Sequence, residues 1–260
     1  MNAPLNLDPP LTRPPSLARR FEAATGFAPS FWLAAVGCSA MAMALLAGRM
    51  WRTGDAGHLS LVWDVFLAWV PVPLALLAYR QARRARPPRA ITLAALAGWL
   101  LFFPNSPYLV TEFIHLHPDH LPSPRHIPHD LRWAFPDVFP PAESPGWYEL
   151  LLMTAVAAAG LAVTVASFRL AQRTIARLYS PRAAAAATPL LLVLTAFGVA
   201  LGRFARLNSW DVFHEPDKTA GDIVTWATDP KASIATFVVA VLLILLNVVV
   251  AGAGGGATKD

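Results

Sequence analysis

The sequence predicts an all-α, polytopic membrane protein: a bundle of six transmembrane helices with both ends on the cytoplasmic side. Composition, apolar run length and the placement of arginine carry this prediction. Hydrophobic residues make up 55% of the 260 residues and charged residues only 14%, where a soluble domain carries about 25% charged. Apolar runs at 30–48, 58–79, 90–108, 148–168, 183–202 and 232–251 each approach the ~20 residues that cross a ~30 Å hydrocarbon layer as a helix. The runs are continuously apolar, whereas strands of a membrane barrel would alternate apolar and polar residues.

Orientation follows from the cost of translocating cations. The second connection holds Arg80, Arg83, Arg84, Arg86 and Arg89, the fourth holds Arg169, Arg173, Arg177 and Arg182, and neither holds an acid. Both are expected to face the cytoplasm. The first, third and fifth connections carry nearly all the acids, among them Asp55, Asp119, Asp130, Asp137, Glu143, Glu215, Asp217, Asp222 and Asp229, and are expected outside. The net charge of +5 is divided among short loops, which suits contact with an anionic bilayer surface and argues against a nucleic-acid partner.

The membrane domain is expected over 30–251. Residues 1–29, rich in proline and arginine, are expected to form a disordered cytoplasmic tail, and 252–260 a second cytoplasmic tail. The first run is long enough to anchor and shows no small-residue cleavage site, so it is expected to be retained. Cys38 is the one cysteine; it reads as a small packing residue and excludes an internal disulfide.

Polar residues gather at the outer ends of the second, third and fifth runs. The third ends in Pro104-Asn105-Ser106-Pro107-Tyr108. Its two prolines lack an N–H and release the carbonyls of Leu100 and Phe103, which lipid cannot satisfy. The break implies either a polar cluster or a plain helix end with Tyr108 as interfacial anchor. The fifth run ends in Arg203, Arg206, Asn208, Ser209, Trp210 and Asp211. If helical, Arg203 and Arg206 share a face and suit an anionic group; the alternative is snorkelling cations beside an interfacial Trp210. Asp64 falls ~9 Å inside the second run at helical rise and needs a partner or a proton: either it pairs with Arg203 or hydrogen-bonds Asn105, or it is protonated or wet near the interface. Pro71 and Pro73 are expected to kink that run and free the carbonyls of Leu67 and Trp69. Trp63-Asp64-Val65-Phe66 recurs as Trp210-Asp211-Val212-Phe213, with both copies expected near the outer face, which does not fit an inverted repeat.

These residues also carry a resemblance. The run WLLFFPNSPYLVTEFIHL at 99–116, then Trp147-Tyr148-Glu149-Leu150, Leu201-Gly202-Arg203-Phe204 and Asn208-Ser209-Trp210-Asp211-Val212, resemble the prokaryotic membrane-protein family called domain of unknown function 1361, over the stretch from about the first run to the sixth. Asn105, Pro107, Tyr108, Thr111, Tyr148, Arg203, Asn208, Trp210 and Asp211 match its motif, while Asp64, Glu112, Glu149 and Leu207 depart from it. The resemblance implies a multi-pass protein of the bacterial cytoplasmic (inner) membrane and brings no activity.

Seven histidines are expected on the outer side. Of these His115, His117 and His120 form a weak candidate zinc set, with Glu112, Asp119 or Asp130 able to complete a shell; otherwise no cofactor is expected. No nucleotide loop, nucleophile elbow or redox cysteine pair is present. Three readings follow. One is a transporter or binding protein for a small anionic ligand, with Asp64, Asn105, Tyr108, Glu112, Arg203, Arg206, Asn208, Trp210 and Asp211 around an outward-facing site. Another is a membrane enzyme acting on a lipid-linked or head-group substrate through Glu112, Asp211 or His115. The last is a scaffold for an envelope partner.

Overall fold

The structure, a computed structural model, describes residues 16–25, 27–116 and 146–255. Among these residues all regular structure is helical. Six helical spans are long and apolar enough to cross a membrane: Pro29–Thr53, Ser60–Ala82, Arg89–Leu116, Gly146–Leu178, Pro181–Ala205 and Pro230–Val250. Each expected run coincides with one of them. The starts agree closely, and the first five ends run on, most of all the fourth, which reaches Leu178 rather than 168.

In chain order the helices are α1 (Leu17–Thr25), α2 (Pro29–Thr53), α3 (Ser60–Trp69), α4 (Pro71–Ala82), α5 (Arg89–Phe102), α6 (Asn105–Tyr108), α7 (Gly146–Leu178), α8 (Pro181–Ala200), α9 (Asp211–His214), α10 (Pro216–Thr228) and α11 (Pro230–Gly255). A 3₁₀ segment covers Leu109–Leu116, and a π-helical turn covers Leu201–Ala205. Helix α1 lies within the tail expected to be disordered. Helices α9 and α10 lie in the fifth connection, where the sequence reading placed none.

Local chemistry sets the ends. Proline at the first position of α2, α4, α8, α10 and α11 starts a helix without wasting a donor. Ser180 caps α8 by accepting from Ala183 N at 3.0 Å. Gly54, at φ 67°, closes α2 through its N–H to Met50 O.

Proline also divides two spans. The kink expected from Pro71 is a break: α3 and α4 meet at Val70, whose N–H takes over the freed Leu67 carbonyl at 3.2 Å. The third span breaks after Phe102 and resumes as α6 and the 3₁₀ segment. Ser106 Oγ donates to Ala68 O at 2.7 Å, stitching the second break to the first.

Helix α7 is the hub, packing on α2, α4, α8 and the 3₁₀ segment. Its most apolar window is 56% buried, while that of α11 is 11% buried and turns Phe237, Val238, Leu245 and Val249 outward. Apolar exposure on that scale belongs to a lipid-facing surface. The core has two halves. Leu46, Leu61, Val65, Leu109, Leu152 and Val156 fill one; Trp99, Phe103 and Phe168 stack in the other, with ring centroids 4.5 and 5.7 Å apart along the row. Gly160 and Gly198 admit the broken third span: a Cβ on Gly160 would meet Ser106 O at 2.6 Å, and one on Gly198 would meet Pro104 Cγ at 2.5 Å.

Arg83 and Arg177 both lie over the Tyr79 ring, at 5.7 and 5.8 Å. The two arginine-rich connections therefore share one end of the bundle.

Candidate functional site

At the other end, buried charges form a chain across the helix ends. It begins with Arg49, which is 2% exposed in the last turns of α2. Arg49 Nε donates to Glu149 Oε1 of α7 at 2.6 Å. Its two terminal nitrogens donate to Asp55 O and Asp55 Oδ2, both at 3.2 Å. The sequence makes this possible by turning back at once after α2: Thr53 Oγ1 accepts from Asp55 N, and Asp55 Oδ1 accepts from Gly57 N. Tyr148 braces the same corner by donating to Leu45 O at 2.7 Å, in space that a side chain at Gly48 would occupy.

His58 is buried against Glu149, with Nε2 and Oε2 3.8 Å apart, beyond hydrogen-bond reach. Among the described residues neither atom has a hydrogen-bond partner. Burial, followed by the Arg49 charge, pushes the His58 pKa below its ordinary 6.5, so near neutrality the pair is a neutral imidazole beside a carboxylate rather than an ion pair. The folded chain thus holds fewer protons at His58 than the unfolded chain. Its contribution to stability is complete above pH 6.5 and is lost as pH falls below that value through the folded-state pKa. Unfolding of the purified protein in mild detergent should therefore become easier below pH 6.5, and His58→Gln should flatten that slope; an unchanged slope would contradict the assignment.

The His58 and His115 rings meet edge to face at 5.5 Å. In the 3₁₀ segment, at three residues per turn, positions 109, 112 and 115 align. Leu109 and Glu112 face the core, and His115 Nε2 lies 3.1 Å from Glu112 Oε2. Glu112, 2% exposed, accepts a very short hydrogen bond from Arg203 Nη2. Arg203 Nε donates to Thr111 Oγ1 at 2.8 Å, and its guanidinium lies 4.3 Å above the Tyr108 ring. The π turn shifts the phase at which residues after Leu201 leave the helix, and Arg203 leaves it toward the third span.

The break at Pro104 and the turn after Arg203 are neighbours, as expected from sequence. Asn105 Nδ2 donates to Phe102 O and to Ser209 Oγ, and Ser209 Oγ donates to Leu101 O. The carbonyls that these side chains serve are therefore those of Leu101 and Phe102 rather than the Leu100 and Phe103 expected from sequence; Phe103 O accepts from Ser106 N instead. Asp64 is the main correction. Arg203 pairs with Glu112, and Asp64 makes no hydrogen bond or ion pair among the described residues, although it feels the charges of Glu112, Arg203 and His115. Arg206 does not share a helix face with Arg203: it ends the π turn at φ 56° and is exposed. Asp211 Oδ2 accepts from Asn208 N at 2.7 Å and from Asn208 Nδ2 at 3.4 Å, closing its own turn at the rim. Trp210 packs edge-on against Trp63 at 5.8 Å, so the two Trp-Asp-Val-Phe segments touch. His117 and His120 lie outside the described residues, and among the described residues no group of three or more His, Cys, Asp or Glu is placed to hold a metal.

A family model, described as protein of unknown function (DUF1361), matches residues 63–248. The chain belongs to the DUF1361 family. No curated protein and no solved structure matches it. Glu112, His115, Glu149 and Arg203 of this DUF1361 protein fall inside the matched stretch, while Arg49, Asp55 and His58 precede it. Sequence reading missed Arg49 by ending the first helix at 48; two arginines, Arg49 and Arg52, finishing a helix at the acidic end of the bundle are the signal that marks it.

Proposed function

We propose that this multi-pass membrane protein is a small-ligand binding or transport protein of the bacterial cytoplasmic membrane, with its site at the extracytoplasmic end of the bundle. The observation that carries the reading is the pair of buried, unpartnered atoms, His58 Nε2 and Glu149 Oε2, held between two arginine–glutamate pairs. A proton or a polar group of a small ligand completes such a gap. Ionisable groups kept inside a membrane bundle mark ion or substrate paths, and helices broken at that depth are how transporters expose backbone to a site. An anionic ligand would exchange with Glu112 or Glu149 on the guanidinium groups. A scaffold is the second reading, favoured by the fact that Arg203 already serves Thr111, Glu112 and Tyr108.

Arg203→Lys keeps the charge and loses the forked geometry, and His58→Gln keeps the volume and loses the titrating group. In cells carrying each variant in place of the native gene, protein abundance is measured together with unbiased profiles of envelope lipids and small solutes. Native abundance with the profile of a deletion strain is the expected outcome. Reduced abundance with a native profile from the remaining protein would give the site to the scaffold.

A further inference from the structure

The arginine-rich end holds a cavity of about 540 Å³ between α7, α8 and α11, closed on one side by Phe27. Arg169 and Arg173 line it, four residues apart on one face of α7. Gln172 fixes its wall by donating to Thr188 Oγ1 of α8 at 2.8 Å, and no acid is among its lining residues. Arg169 makes no hydrogen bond or ion pair among the described residues, and the charge it meets is that of Arg173. A half-buried cation such as Arg169 that faces a like charge gains from an anion beside it. Arg173 also sits over the Phe27 ring at 5.7 Å.

The surroundings decide which anion. Arg169 and Val250 belong both to this cavity and to a shallow apolar crevice lined by Phe168, Leu192, Leu243 and Leu246. The crevice runs from the arginines toward the middle of the bundle, along the seam with α11, whose outer face is apolar and uncovered. A charged head room opening onto an apolar seam matches a molecule with a phosphate at one end and hydrocarbon at the other. Basic pockets between transmembrane helices hold anionic head groups in this way.

We propose that this cavity is a binding site for an anionic phospholipid, with the phosphate between Arg169 and Arg173 and an acyl chain along the α8–α11 seam. The site lies at the opposite end of the bundle from the proposed ligand site and does not depend on it.

The test uses the full chain purified in mild detergent. Thermal stability is measured with added phosphatidylglycerol, phosphatidylcholine or inorganic phosphate, and lipid retained through purification is measured by mass spectrometry. Phosphatidylglycerol should raise stability and be retained, while phosphatidylcholine and inorganic phosphate should do neither. Arg169→Gln should weaken phosphatidylglycerol binding about five-fold, the ratio that ~1 kcal/mol per cation at a membrane surface gives. Arg169→Lys should preserve most of it, and Arg84→Gln, on an exposed turn, should leave it unchanged. Equal stabilisation by phosphatidylcholine, an equal effect of inorganic phosphate, or unchanged binding in folded Arg169→Gln would each overturn the proposal.

Discussion

Glu149→Ala is expected to destabilise the protein by about 3–5 kcal/mol, the range for removing one partner of a buried ion pair. Arg49 and Glu149 are each 2% exposed, and the Arg49 guanidinium has few other acceptors: the carbonyl and one oxygen of Asp55. Without Glu149 its Nε faces the core with its hydrogen bond lost. Asp55 remains as counter-charge but does not reach Nε, so the cost comes from a buried cation left under-satisfied more than from the lost attraction, and this distinguishes the double variant. Arg49→Met with Glu149→Leu removes both charges and should recover most of the loss, since Asp55 is 20% exposed and can turn to water. Denaturant unfolding in mild detergent measures both variants. A double variant as unstable as the single one would show that the pair organises the corner beyond its own charge balance.

Gly160→Ala is expected to cost at least about 1–3 kcal/mol, the range for overpacking a filled interior. The added methyl would lie 2.6 Å from Ser106 O and 2.7 Å from Leu109 Cβ, and both belong to the backbone-rigid break of the third span. Ser106 cannot retreat freely, because its hydroxyl is tied to Ala68 O. The displacement should therefore pass through Leu109 to Glu112, three residues beyond it, loosening its bond to Arg203. Gly37→Ala is the control: nothing lies within 4 Å of that position, and alanine in place of glycine should leave stability unchanged or slightly raised. Equal behaviour of the two variants in the same unfolding assay would contradict the close approach.

The six spans were legible because a bilayer demands about twenty apolar residues, a constraint that few other structures imitate. What the sequence hid lies where composition stops reporting. Helix α7 continues past 168 through Arg169, Arg173 and Arg177, residues that look like a loop to a hydropathy argument yet are good helix formers. The same cut-off at 48 concealed Arg49. Helix α10 is polar along much of Pro216–Thr228 and is anchored partly by Trp226 stacking on Phe204 at 6.1 Å, a partner no local pattern announces. In the site, Tyr108 and Glu112 meet Arg203 while Asn105 meets Ser209, because prolines at 104 and 107 demanded polar company. The Asp64 pair failed for a register reason: the chain beyond Tyr108 winds on as a 3₁₀ segment and delivers Glu112 to Arg203 first.

Helix α7 has thirty-three residues and no proline, so at 1.5 Å per residue it is a strut of about 50 Å, against a hydrocarbon layer of about 30 Å. Glu149 stands in its first turn and Arg173 in its last third. A helix without a proline joint bends gently rather than hinging between these stations. Glu149 and Arg173 thus stand near opposite ends of one continuous strut, and a tilt of that strut at its first turn moves its last third as well.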